Sequence, residues 1–220
     1  MLFDCDGVLV DSEPITNGVL RDMLGELGWE LSVAECMRLF VGKTLHEETE
    51  LLERHTGKVV NKDWLAEFRL RRNQALERDL VAIPNIHAAM HAIHAAYQAR
   101  VACASGADRY KVEMQLNKVG LLRYFEGRIF SGHEMPRSKP APDVYLAAAA
   151  ALGVGPRRCA VIEDTVTGVT AGVAAGSVVF GYSPHEARHD APQALLHAGA
   201  ATVFTDMAEL PALLLGAALV

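Results

Sequence analysis

The sequence predicts an α/β protein, a Rossmann-like parallel sheet with helices on both faces that carries an inserted α-helical segment. Two observations predict it. From Ile83 onward, apolar runs of β type alternate with helical stretches, which is the pattern of a parallel sheet covered on both sides. From Pro14 to Leu80 only helical periodicity occurs, in Ile15, Val19, Met23 and Leu27, then Val33, Met37 and Phe40, then Leu45, Leu51 and Leu52, then Trp64, Phe68 and Leu76. The bounds that follow are 1–13 and 82–220 for the sheet core and 14–81 for the helical insertion, which reads as a cap. The length, 220 residues, is that of one domain plus an insertion, or of two small domains, at the usual ~150 residues per domain.

The elements follow in order. Met1 to Phe3 supplies the first strand, which is short for a central strand of ~5–6 residues, so a trimmed or mis-assigned start is expected. Further strands are expected at Val101 to Ala104, Arg128 to Ser131, Cys159 to Glu163, Ser177 to Tyr182 and Thr202 to Thr205. The helices between and after them are Asn85 to Gln98, Asp108 to Val119, Pro142 to Leu152, Val166 to Ala175 and Ala191 to Ala198. Asp108 is suited to an N-cap, Pro142 to a first helical turn, and Gly153 and Gly199 to positions just past helix ends.

Composition excludes several classes. Half the residues are hydrophobic, which argues against disorder and low complexity. A net charge of −6 argues against general nucleic-acid binding, which needs a basic face. The longest apolar stretches, Ala147 to Leu152 and Leu210 to Val220, fall well short of the ~20 residues that span a bilayer. Asp4 and Asp6 stand where a secretory signal would need a basic patch and an apolar run, so a cytoplasmic location is expected. Cys5, Cys36, Cys103 and Cys159 form no CxxC pair and read as reduced core residues.

The chemistry-bearing residues gather at predicted strand ends. In Phe3-Asp4-Cys5-Asp6-Gly7, period two puts both carboxylates on one side of the chain, where one can act ionised as nucleophile or metal ligand and the other can carry a proton. Ser105 and Gly106 end the second strand, Lys139 lies in the loop after the third, and Glu163 and Asp164 end the fourth. Singly, each has a plain structural reading: a turn for the Asp-x-Asp-Gly run and for Ser105, a solvated loop charge for Lys139, helix capping for Glu163-Asp164. In an open parallel sheet, however, the ligand site lies at the carboxyl ends of the strands, and four segments deliver these residues to that edge. Phosphoryl transfer through an aspartyl phosphate needs such a set: an attacking carboxylate, a divalent cation and donors for the phosphoryl oxygens.

The arrangement resembles the haloacid dehalogenase superfamily, whose four motifs match Asp4-Cys5-Asp6-Gly7, Ser105, Lys139 in Lys139-Pro140-Ala141-Pro142-Asp143, and Glu163-Asp164. The resemblance covers essentially the whole chain, the helical cap included. It implies that Asp4 is the nucleophile and Asp6 the acid and then the base. It further implies that Ser105, Gly106 and Lys139 hold the phosphoryl group, and that Asp4, the Asp6 carbonyl and Asp164 bind Mg²⁺, with Glu163 as a ligand or a partner of one. A dehalogenase proper needs neither metal nor second aspartate, so Asp6 and Asp164 argue against it. The β-phosphoglucomutases share cap and motifs, but their His and Arg positions are here Thr16 and Lys43. A phosphonatase would need a Schiff-base lysine in the cap, for which Lys43, Lys58 and Lys62 are the candidates, and none of them has an apolar setting.

The sequence is most similar to the sugar-phosphate phosphatase branch, and Phe130-Ser131-Gly132 with Arg137 resembles the 6-phosphogluconate phosphatases. Lys43, in the cap loop Phe40 to His46, is expected to meet the non-transferred end of the substrate. The histidines His46, His55 and His133 read as surface residues. The resemblance implies a Mg²⁺-dependent phosphatase acting on a small phosphorylated metabolite, with neither nucleic acid nor membrane as partner, as a monomer or weak dimer. A mutase, and a non-catalytic binding module of the same fold, are the alternatives.

Overall fold

In a computed structural model, residues 1–40, 45, 48–97, 100–184 and 190–216 are described. The chain divides into two compact units, Ser12–Leu80 and the pair of segments Met1–Asp11 and Val81–Val220. The first unit is all helical among its described residues: α1 (Glu13–Glu26), α2 (Val33–Phe40), α3 (Thr49–Thr56) and α4 (Lys62–Asp79). Proline within the first turn of α1 suits its fixed φ, and Asn61 caps α4 by accepting the Trp64 N–H at 2.9 Å. Leu20, Met23, Leu24, Cys36, Phe40, Leu52, Val60 and Phe68, spaced by helical turns, form this unit's own buried core.

The second unit alternates strand and helix. It contains β1 (Leu2–Phe3), α5 (Ile86–Ala96), β2 (Ala102–Ser105), α6 (Arg109–Lys118), β3 (Ile129–Ser131), α7 (Asp143–Ala151) and β4 (Ala160–Glu163). It continues with α8 (Val166–Ala174), β5 (Val178–Tyr182), α9 (Pro192–His197), β6 (Thr202–Phe204) and α10 (Leu210–Gly216). All strand pairs are parallel, in the order β3-β2-β1-β4-β5-β6. The winding direction reverses between β1 and β4, and at such a switch point the loops leave the sheet in opposite directions and open a crevice.

β1 is only two residues long, yet it is central: Leu2 and Phe3 pair with Ala102 and Cys103 on one side and with Val161 and Ile162 on the other. Both are fully buried, and the Asp4 N–H still donates to Ile162 O at 3.0 Å, so the ladder carries the first aspartate to the sheet edge before the chain turns. Gly7 permits that turn with φ 75°, a left-handed conformation that L side chains rarely adopt. The core on one face uses small residues, Ala102, Ala104, Ala148, Ala149 and Ala171 among them, which lets α7 and α8 approach the strands closely.

The expected strands and helices of this unit occur within one or two residues of their positions. The expectation did not separate α10 from the apolar stretch Leu210 to Val220, because its seven residues, Leu-Pro-Ala-Leu-Leu-Leu-Gly, show no helical period. All four cysteines are free and buried. No described helix is long and apolar enough to cross a membrane.

Candidate active site

The parallel register places the carboxyl ends of β1, β2 and β4 side by side, and the residues that follow them converge. Asp4, Glu163 and Asp164 are buried and present carboxylate oxygens all within 4.8 Å of one another. Between two of them lies Lys139, whose Nζ donates to Asp4 Oδ1 and to Glu163 Oε1, both at 2.7 Å. The lysine reaches them from the loop after β3, and its Nζ also sits 4.7 Å from the ring centroid of Tyr145 on α7.

Burial pushes the Asp4 carboxyl up to about 7 even though Lys139 pulls the other way, with Glu163 and Asp6 adding to the rise. Burial by itself would lower the Lys139 ammonium, but the Asp4 and Glu163 carboxylates together hold it well above its ordinary range. Lys139 bonds two of these three close carboxylates, and three hard oxygen donors suit Mg²⁺ better than a softer ion. The residues therefore fit a divalent cation.

Glu163 is more heavily engaged than a free ligand. Its Oε1 accepts from Lys139 and from the Tyr145 hydroxyl at 2.8 Å, while Oε2 accepts from the Asp164 and Thr165 N–H groups and from Thr165 Oγ1. The cap of α8 is Thr165, which accepts from Gly168 N at 3.1 Å, so the helix-capping alternative for Glu163-Asp164 belongs to the next residue. Gly168, on the first turn of α8, faces the Glu163 carboxylate closely enough that a Cβ would overlap it. Gly168→Ala should displace that carboxylate from Lys139 and Tyr145, costing about 3 kcal/mol in urea unfolding together with a fall in turnover. Wild-type stability and turnover in this variant would remove Glu163 from the support of Lys139.

Asp6 lies outside the three-carboxylate cluster by its side chain: its Oδ1 accepts from Lys111 Nζ at 2.8 Å and Gln115 Nε2 at 2.9 Å. Ser105 is buried at the end of β2, its Oγ accepting the Ala107 N–H at 3.1 Å, and half-buried Gly106 lies between them. The Ser131 hydroxyl donates to Ala107 O at 2.6 Å and so ties the same turn to β3. A Cβ at Gly132 would come 3.3 Å from Gly106 Cα, so glycine lets these loops meet. Arg137 pairs with Asp143 at 3.0 Å with its side chain 70% exposed, a surface ion pair apart from the cluster. Lys43 and His46 lie outside the described residues. Sequence reasoning missed Lys111, Gln115, Tyr145 and Gly168.

Fold and site together define an α/β protein with a lysine-bridged carboxylate centre at the switch point of a parallel sheet. Residues 1–176 match the family model for haloacid dehalogenase-like hydrolases, and the chain belongs to that family. It is 30% identical over 214 residues to the 6-phosphogluconate phosphatase of Escherichia coli K12, covering 97% of this chain and 93% of that protein. Hexitol phosphatase B of the same organism is 30% identical over 176 residues, 79% of this chain and 78% of its own. A haloacid dehalogenase family hydrolase of Deinococcus radiodurans R1, solved with bound phosphate and sodium, superposes with a TM-score of 0.81 at 36% identity over 100% of this chain and 96% of that one. The protein is a phosphoric monoester hydrolase of the haloacid dehalogenase type.

Proposed function

We propose that the chain is a Mg²⁺-dependent phosphatase that hydrolyses a small phosphorylated metabolite, a sugar phosphate or phosphorylated sugar acid, through an aspartyl phosphate. The observation that carries this reading is Asp4 at the end of β1, gripped by Lys139 and clustered with Glu163 and Asp164. The substrate class rests on the similarity to 6-phosphogluconate and hexitol phosphatases.

An Asp4 oxygen attacks phosphorus, forming one O–P bond as the bond to the leaving oxygen breaks, and the Asp6 carboxyl gives that oxygen its proton, releasing an alcohol. Asp6, now a carboxylate, takes a proton from water, whose oxygen attacks the same phosphorus. Inorganic phosphate leaves and the Asp4 carboxylate is restored. Lys139 and Ser105 offer donors to the equatorial phosphoryl oxygens, where charge builds in the transition state. Asp4, Asp164, the Asp6 carbonyl and, more weakly given its engaged oxygens, Glu163 would hold Mg²⁺. That ion supplies charge neutralisation between carboxylate and phosphate.

The test is phosphate release from a panel of phosphorylated sugars, sugar acids, alditols and nucleotides, with Mg²⁺ and with a chelator. Sugar or sugar-acid phosphates should lead the panel, and the chelator should remove about 99% or more of the rate. Release unaffected by chelation would overturn the metal dependence. Isomerised hexose phosphate in place of free phosphate would make the enzyme a mutase.

A further inference from the structure

The four motifs assign one lysine to the site, and the structure shows a second. Lys111 is buried, with its Nζ 2.8 Å from Asp6 Oδ1, and fully buried Gln115 donates to the same oxygen at 2.9 Å. The two are spaced i, i+4 on α6 and so lie on one helix face. That face is set from the start of the helix: Asp108 caps it by accepting the Lys111 N–H at 2.9 Å, three residues after Ser105 ends β2. Gln115 is itself anchored, its Oε1 accepting from Cys5 Sγ at 3.7 Å, next in sequence to Asp6.

A surface lysine keeps its ammonium in water. Lys111 has its side chain 8% exposed and the Asp6 side chain only 18%, so desolvating this charge requires a fixed partner, and α6 supplies the geometry for it. Two donors on Oδ1 fix the carboxyl plane and make that oxygen an acceptor, which assigns the proton that Asp6 exchanges to Oδ2.

We infer that Lys111 and Gln115 are positioning residues that orient Asp6 for proton transfer to and from Oδ2, and that they act on turnover only through Asp6. This rests on the reading of Asp6 as the acid and base. Losing their grip lets the carboxyl rotate, and the cost falls where the leaving oxygen most needs a proton.

The experiment compares an alkyl phosphate with 2,4-dinitrophenyl phosphate, whose leaving oxygen needs none, following the rate of phosphoenzyme formation in rapid quench. Lys111→Met and Gln115→Leu should slow the alkyl substrate by about 30-fold or more while the dinitrophenyl ester changes by less than about threefold, and Lys111→Arg should recover much of the loss. In the double variant Lys111→Met with Asp6→Asn, the first substitution should add nothing to the second. A uniform loss over both substrates, or a further loss on top of Asp6→Asn, would overturn the inference and make Lys111 a phosphate contact or a scaffold residue. The underlying reading fails separately, when Asp6→Asn itself shows no dependence on the leaving group. Circular-dichroism melts of each variant show that the rates compare folded protein. Should Lys111→Met not fold, Gln115→Leu carries the same comparison, and equal loss on both esters in that variant overturns the inference.

Discussion

Asp4→Asn should abolish turnover, with a loss of at least about four powers of ten in kcat, since an enzyme that loses its nucleophile falls back on binding and electrostatics alone. An amide neither attacks phosphorus usefully nor serves as a good ligand for a hard cation. The fold should survive, because the change is nearly isosteric and relieves a cost. Burial raises the folded-state carboxyl from 3.8 to about 7, so the folded protein binds a proton that the unfolded chain has released across that window. The contribution of Asp4 to stability is thus fully present below 3.8 and is lost as pH rises through about 7. At pH 8 without divalent ions, Asp4→Asn should therefore melt at or above the wild-type temperature, while the rise in melting temperature that Mg²⁺ confers should shrink. No radiolabelled phosphoenzyme should be trapped by acid quench. Activity above about a hundredth of wild type would end the case for covalent catalysis at this residue.

The strand ends were legible because two simple patterns meet there. A short continuous apolar run stops at an acid or a hydroxyl, and in a parallel sheet all such stops lie on one edge. Asp4, Ser105, Glu163 and Asp164 follow from that rule without knowledge of strand order, and Lys139 follows from its place in the loop before Pro142. Lys111 and Gln115 do not. In Arg109-Tyr110-Lys111-Val112-Glu113-Met114-Gln115 one lysine among charged and polar neighbours reads as part of a solvated face, and the packing of α6 beside β3, with the ion pair to Asp6, buries it. Tyr145 is hidden in the same way within an alanine-rich helix, where its hydroxyl has no partner until β4 is placed beside it. Gly168 reads as one more small residue in Val-Thr-Gly-Val-Thr. Its reason, room for the Glu163 carboxylate, exists only in three dimensions. The residues proposed for the chemistry thus announce themselves by type and by strand position, whereas those bonded to them from other elements do so through contacts between segments far apart in sequence.

Lys139→Met separates the lysine's two tasks and should be the most damaging change to stability. The methionine matches the stem in length and apolar character but leaves Asp4 and Glu163 facing each other across a buried gap that one ammonium had bridged at 2.7 Å on each side. Removing one partner from a buried ion pair costs about 3–5 kcal/mol, because the charges left behind have neither water nor counter-ion. The loss should depend on pH with a definite sign. Without the ammonium, the Asp4 carboxyl rises further above its unfolded value, so the variant's deficit against wild type is small in acid and grows as pH rises from about 5 to 8. Mg²⁺ should recover part of that stability by standing in for the missing charge, yet it should not restore turnover. Charge on the transferring phosphoryl group would still lack the donor that Lys139 offers, a deficit of about three powers of ten in kcat. Urea unfolding at three pH values, with and without Mg²⁺, measures the first effect, and saturating-substrate kinetics the second. A deficit independent of pH, or kcat within tenfold of wild type, would show that Lys139 is a packing residue and that the carboxylates are neutralised by something else.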